Sequence, residues 1–144
     1  MKRLYFLLLI LFVIGCSSNN SLGPQENCDC GLEISSDLPQ TDGIHELEYD
    51  SSLAQTYSVL SCQTECGWSQ HIQWDSNYMY EIVPGQWTSI VNPASMTDEF
   101  GEGKVIFAVW EAFIGKTITI YCGYYDDCGN QLIDSVKVLV VNNE

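Results

Sequence analysis

Positive charge is what this chain has least of. Lysine and arginine together number 5 against 19 aspartates and glutamates, a formal net charge of −14. Such a chain repels phosphate backbones and anionic lipid surfaces, so nucleic acid is excluded as a partner. The acids are scattered, with no run long enough to make an acidic tail. Histidine is limited to His45 and His71, and the common catalytic signatures are missing: no Gly-x-Ser-x-Gly elbow, no His-Glu-x-x-His helix, no glycine-rich phosphate loop. No enzyme, cofactor or resident metal is therefore expected. His71 and Asp75, four apart, share one strand face, but without a placed nucleophile they read as ordinary strand residues. Sustained helical periodicity is missing too. The longest apolar run, Leu4–Ile14, spans about 16 Å as a helix, against a bilayer core of about 30 Å.

That run follows Met1-Lys2-Arg3, and a basic start before a short apolar stretch describes a secretory signal. It stops at Val13-Ile14-Gly15-Cys16, which resembles the lipobox of bacterial lipoproteins. The resemblance implies acylation of Cys16, removal of residues 1–15 and attachment to membrane through the lipid alone. Two or more acyl chains anchor stably where one does not. Ser17 stands where aspartate would resemble an inner-membrane retention signal, so the expected address is the outer membrane of the bacterial envelope. Residues 16–27 (CSSNNSLGPQEN) read as a flexible tether and residues 28–144 as one folded domain. Lys104, Lys116 and Lys137 are then the only cations, which leaves a net charge of −16.

Six further cysteines, Cys28, Cys30, Cys62, Cys66, Cys122 and Cys128, form an even set in an exported chain and predict disulfides. Their spacings, C-D-C, C-Q-T-E-C and C-G-Y-Y-D-D-C, suit neither a zinc ribbon nor a C-x-x-C redox site. Spacing alone leaves 15 connectivities open.

Short runs of Val, Ile, Thr, Tyr, Phe and Trp, broken by Gly, Pro, Asn and Asp, predict an all-β domain. Strands are expected at 44–49, 55–61, 70–75, 79–83, 87–91, 104–110, 117–124 and 135–141. Ile118, Ile120 and Cys122 point one way, Thr117, Thr119 and Tyr121 the other, and Val136, Val138 and Val140 share a face. Seven or eight strands in about 115 residues describe an antiparallel sandwich. Cys62, Trp74 and Cys122 lie in the order of an immunoglobulin-type (Ig-like) domain, with Ile120 in place of that family's tyrosine. The ending KTITIYCGYYDDCGNQLIDSVKVLVV is similar to the last hairpin of hyalin-repeat modules of bacterial surface proteins. The Ig-like resemblance implies a Cys62–Cys122 bond between sheets and a Cys66–Cys128 staple at one end. Cys28 and Cys30 are then left over, and on a strand their Cβ atoms are too far separated for an easy bond; alternatively the N-terminal strand captures Cys66, Cys122 or Cys128.

Asp126, Asp127, Asn130 and Asp134 carry oxygens that calcium would accept, but Asp and Asn in a turn also cap backbone amides, and that reading is preferred. Of the abundant aromatics, Trp74 and Trp110 are expected in the core. Trp68, Tyr124 and Tyr125 lie near the stapled end and are the expected ligand-binding residues. The function implied is a non-catalytic, lipid-anchored binding or adhesion module for a protein or glycan ligand. A periplasmic inhibitor of a cationic enzyme such as a lysozyme, or a carbohydrate-binding module, is the alternative.

Overall fold

A computed structural model describes residues 30–65 and 69–143. Residues 1–29, which include Cys16, the tether and Cys28, lie outside the described residues, as do Cys66 and Trp68. The described chain is nearly all β. Its strands are β1 (Leu32–Ser36), β2 (Gln40–Thr41), β3 (Ile44–Tyr49), β4 (Thr56–Thr64), β5 (His71–Ser76), β6 (Met79–Val83), β7 (Gln86–Ser89), β8 (Ala94–Met96), β9 (Glu102–Val109), β10 (Thr117–Tyr125) and β11 (Gln131–Asn142). One 3-10 turn, Glu111–Phe113, interrupts them. Among the described residues no helix is long and apolar enough to cross a membrane.

Two sheets carry the architecture. One runs β1-β4-β9, the other β2-β3-β11-β10-β5-β8, and β6-β7 form a separate hairpin. Pairings are antiparallel except β3 with β11, which run parallel from Lys137↔Ile44 to Asn142↔Tyr49. Alternation in the sequence decides which face is buried. In β10 the exposure alternates strictly, with Ile118, Ile120, Cys122 and Tyr124 buried; β11 does the same with Val136, Val138 and Val140. Leu60, Val105, Phe107 and Val109 from the three-stranded sheet join Ile72, Trp74, Ile118 and Ile120 from the six-stranded sheet in one core. This is a sandwich-like packing. At Gly103 of β9 the packing is tight: a Cβ there would lie 3.1 Å from Cys62 Sγ, 3.3 Å from Ile72 Cγ1 and 3.3 Å from Ser95 Oγ, so a larger residue would require its neighbours to give way.

Cys62 and Cys122 face each other in this core, both essentially inaccessible, but they are free thiols. The inter-sheet bond expected between them is not formed in the structure. The Cys62 sulfur beside it, and then burial, push the Cys122 thiol well above its ordinary range, which keeps it protonated. Cys30 and Cys128 are each disulfide-bonded.

At one end of the sandwich a cluster of rings closes the core. Trp110 meets Tyr80 and Phe113 edge-to-face, each at 4.7 Å between centroids, and Phe113 meets Tyr78 at 5.4 Å. Lys116 Nζ lies over the Phe113 and Tyr78 rings at 5.3 and 5.6 Å. These contacts hold the β6-β7 hairpin to the body through Tyr78 and Tyr80, while its Trp87, Met79 and Val83 stay exposed. Trp74 is buried as expected, and Trp110 packs half-buried against the core.

Candidate functional site: a cleft across the six-stranded sheet

Parity places one set of side chains of β5, β10 and β11 in solvent. On β5 these are His71, Gln73 and Asp75; on β10, Tyr121, Gly123 and Tyr125; on β11, Gln131 and Ile133. The registers align them in rows across the strands. Ala94, Gln73, Gly123 and Ile133 form one row. Asp75 and Tyr121 are paired on one side of it, and Tyr125 and Gln131 on the other. In the central row Ala94 and Gly123 have little or no side chain, which leaves open surface beside Gln73 and Ile133. The neighbouring rows are high because each carries a tyrosine. The result is a cleft of about 610 Å³ crossing the strands, lined by these residues and His71. Small-ligand sites span about 300–1,000 Å³.

Tyr121, Tyr125 and Ile133 are 40, 59 and 61 % exposed, unusually open for large apolar side chains. Four residues along a strand separate the two tyrosines by ~13 Å, with Gly123 midway. Gly123 is required there by its neighbour: a Cβ would come within 2.9 Å of the Leu132 carbonyl oxygen. Beneath the cleft the scaffold is fixed. Trp74 Nε1 donates to Ser95 Oγ at 2.8 Å, and the Trp74 amide donates to the Pro93 carbonyl at 2.9 Å, pinning β8 to β5. The Asp75 carboxylate accepts from the Ser76 amide through Oδ1 at 2.7 Å. Among the described residues no lysine or arginine lines the cleft, and Asp75 is its one acid.

The expected ligand residues are thus divided. Tyr125 stands on the cleft wall. Tyr124, its neighbour, is 3 % exposed and belongs to the core, because it shares the buried face of β10 with Ile118, Ile120 and Cys122. The strand's pairing continues to Tyr125↔Gln131, and a one-residue step along a strand is a change of face. Burial pushes the Tyr124 hydroxyl pKa up, and the Thr64 hydroxyl lies beside it; among the described residues neither oxygen has a hydrogen-bond partner of good geometry. Trp68 lies outside the described residues. Tyr121, Gly123, Gln73, Gln131 and Ile133 were not singled out from the sequence. The alternation already noted for β10, carried on to Tyr125, puts Tyr121 and Tyr125 on one face and Tyr124 on the other.

The acidic turn after β10 works as a backbone cap. The Asp126 carboxylate accepts from the amides of Asn130 at 2.7 Å and Cys128 at 3.0 Å, and from Asn130 Nδ2 at 2.9 Å. Asp134 faces inward, and its Oδ2 accepts from the Ile34 amide of β1 at 2.8 Å, tying the two sheets together at their margin. Among the described residues no cluster of three potential metal ligands occurs. A second exposed surface, on the outer face of the three-stranded sheet, carries Tyr57, Val59 and Ile106, with Val59 opposite Ile106.

No protein-family model and no curated protein sequence matches the chain.

Proposed function

We propose that this chain is a lipid-anchored binding module of the bacterial cell envelope, held by Cys16 and built on an Ig-like sandwich. Binding uses the cleft over Gly123. Support for the anchor is the basic start, the short apolar run and Val13-Ile14-Gly15-Cys16. Disulfide bonding of Cys30 and Cys128 is in keeping with an oxidising compartment outside the cytoplasm. Support for the Ig-like reading is the sheet order β3-β11-β10-β5-β8 against β1-β4-β9, with an early strand parallel to the last. Trp74 also lies in register with Cys122, against which Cys62 packs.

The observation that carries the binding role is the cleft itself: two exposed tyrosines flank a glycine floor on a rigid central strand. It is tested with detergent-solubilised full chain retained on whole bacterial surfaces and on immobilised envelope polymers. The double variant Tyr121→Ala/Tyr125→Ala is expected to lose retention while keeping its urea midpoint, since exposed side chains contribute within about 0.5 kcal/mol. Equal retention would refute the site.

The net charge of −16 outside the signal favours a second reading, inhibition of a cationic enzyme such as a lysozyme. A lysozyme assay separates the two. Inhibition at low molar ratio, unchanged in the double tyrosine variant, would place the function elsewhere on the surface.

A further inference from the structure

We infer that the ligand of the cleft is an uncharged glycan chain, laid over Gly123 with sugar rings against Tyr121 and Tyr125. The inference rests on the cleft being the binding site. Three features of its chemistry select the class.

The first is the pattern of apolar and polar groups. Sugar rings have an apolar face edged by hydroxyls, and the cleft offers aromatic walls with polar groups between and around them. The second is hydrogen-bonding type. Gln73 and Gln131 each offer two N–H donors and one carbonyl acceptor, Asp75 accepts, and His71 offers a ring nitrogen of each kind when neutral. Hydroxyl groups, which both donate and accept, need this mixture. An oxyanion would need donors only.

The third is charge. With no lysine or arginine lining it and Asp75 on its wall, the cleft disfavours phosphate, sulfate and uronate groups. A cationic partner would meet Asp75 as the single carboxylate among the residues that line the cleft. What remains is a neutral, hydroxyl-rich ligand. Tyr121 and Tyr125, ~13 Å apart along the strand, can each take a sugar ring, so the site fits a chain of rings better than a single sugar.

Native affinity electrophoresis of the detergent-solubilised full chain tests this. The gels contain neutral polymers (β-glucan, mannan, galactomannan and chitin oligomers coupled to matrix) or anionic ones (polygalacturonate and heparin). Retardation by at least one neutral polymer is expected, unchanged in high salt because no counterions are released. Apparent affinity should fall at least tenfold in Tyr121→Ala/Tyr125→Ala and severalfold in Gln73→Ala, all at unchanged urea midpoint. Retardation by polyanions alone, or retardation abolished by salt, overturns the ligand class. So does a chain retained on cell surfaces through the tyrosines but retarded by none of the neutral polymers; in that case the cleft stands as a site. If the double variant matches wild type in every assay, the site falls and takes this inference with it.

Discussion

Replacing Gly123 with alanine probes both the packing and the cleft. Gly123 sits inside β10 between Ile133 of β11 and Gln73 of β5. An added Cβ would meet the Leu132 carbonyl oxygen at 2.9 Å and Ile133 Cγ1 at 3.4 Å. The Ile133 side chain can turn aside; the carbonyl belongs to the backbone ladder of the neighbouring strand and cannot. Overpacking of a well-packed position costs about 1–3 kcal/mol, while removing a glycine from a strand returns about 0.5–1 kcal/mol. The net expectation is a loss of up to about 2.5 kcal/mol, and no gain. Urea unfolding followed by tryptophan fluorescence reads it as a lower midpoint at unchanged slope. The same substitution raises the cleft floor by a methyl group, so glycan retardation should weaken beyond any change in the folded fraction. A variant more stable than wild type would refute the argument that the carbonyl's close approach dictates glycine here.

Three further outcomes are expected. Phe113→Ala removes the ring that joins Trp110, Tyr78 and Lys116 and should cost about 3–5 kcal/mol in urea unfolding; a loss under 1 kcal/mol would leave the aromatic cluster without a structural role. The Asn130 side-chain amide, with the backbone amides of Asn130, Cys128 and Gly129, holds the Asp126 carboxyl below the usual carboxylate range against the opposing effect of burial. Its stabilisation is therefore present above the unfolded pKa of about 3.9 and is lost as pH falls through the lower folded value, so the stability gap between wild type and Asp126→Ala should be constant from pH 7 to 5 and narrow below about 4. Finally, iodoacetamide should leave Cys62 and Cys122 untouched in native buffer and alkylate both in urea without reductant, while Cys30 and Cys128 stay unmodified; peptide mapping that finds Cys62 joined to Cys122 would contradict the free-thiol core.

Central strands were the readable part of this fold. Ile118, Ile120 and Cys122, like Val136, Val138 and Val140, announce buried faces because both neighbours of β10 and β11 are strands and one side is core. The edges were not readable. β1 and β8 are short, carry few large apolar residues, and exist because β4 and β5 present open ladders to pair with. Gln131–Asp134 looked like turn because of its Asn and Asp neighbours, yet it is the start of β11; Asp134 is held inside by the Ile34 amide, a partner 100 residues away that no local pattern reveals. The cleft was half legible. Tyr124 and Tyr125 were singled out together for lying near the expected stapled end, although strand parity puts Tyr124 on the buried face with Ile118, Ile120 and Cys122. Gly123 and the β5 polar side chains join the tyrosines only through register, which sequence periodicity does not supply.

The most direct test of the central claim is a 15N chemical-shift titration of the detergent-solubilised full chain with the neutral polymer fragment that retards it most. The account predicts shifts concentrated at Gly123, Tyr121, Tyr125, Ile133 and the Gln73 and Gln131 side-chain amides, with the β6-β7 hairpin and the outer face of the three-stranded sheet silent. Shifts centred on the hairpin around Trp87, or on Tyr57, Val59 and Ile106, with the residues over Gly123 unmoved, would contradict it.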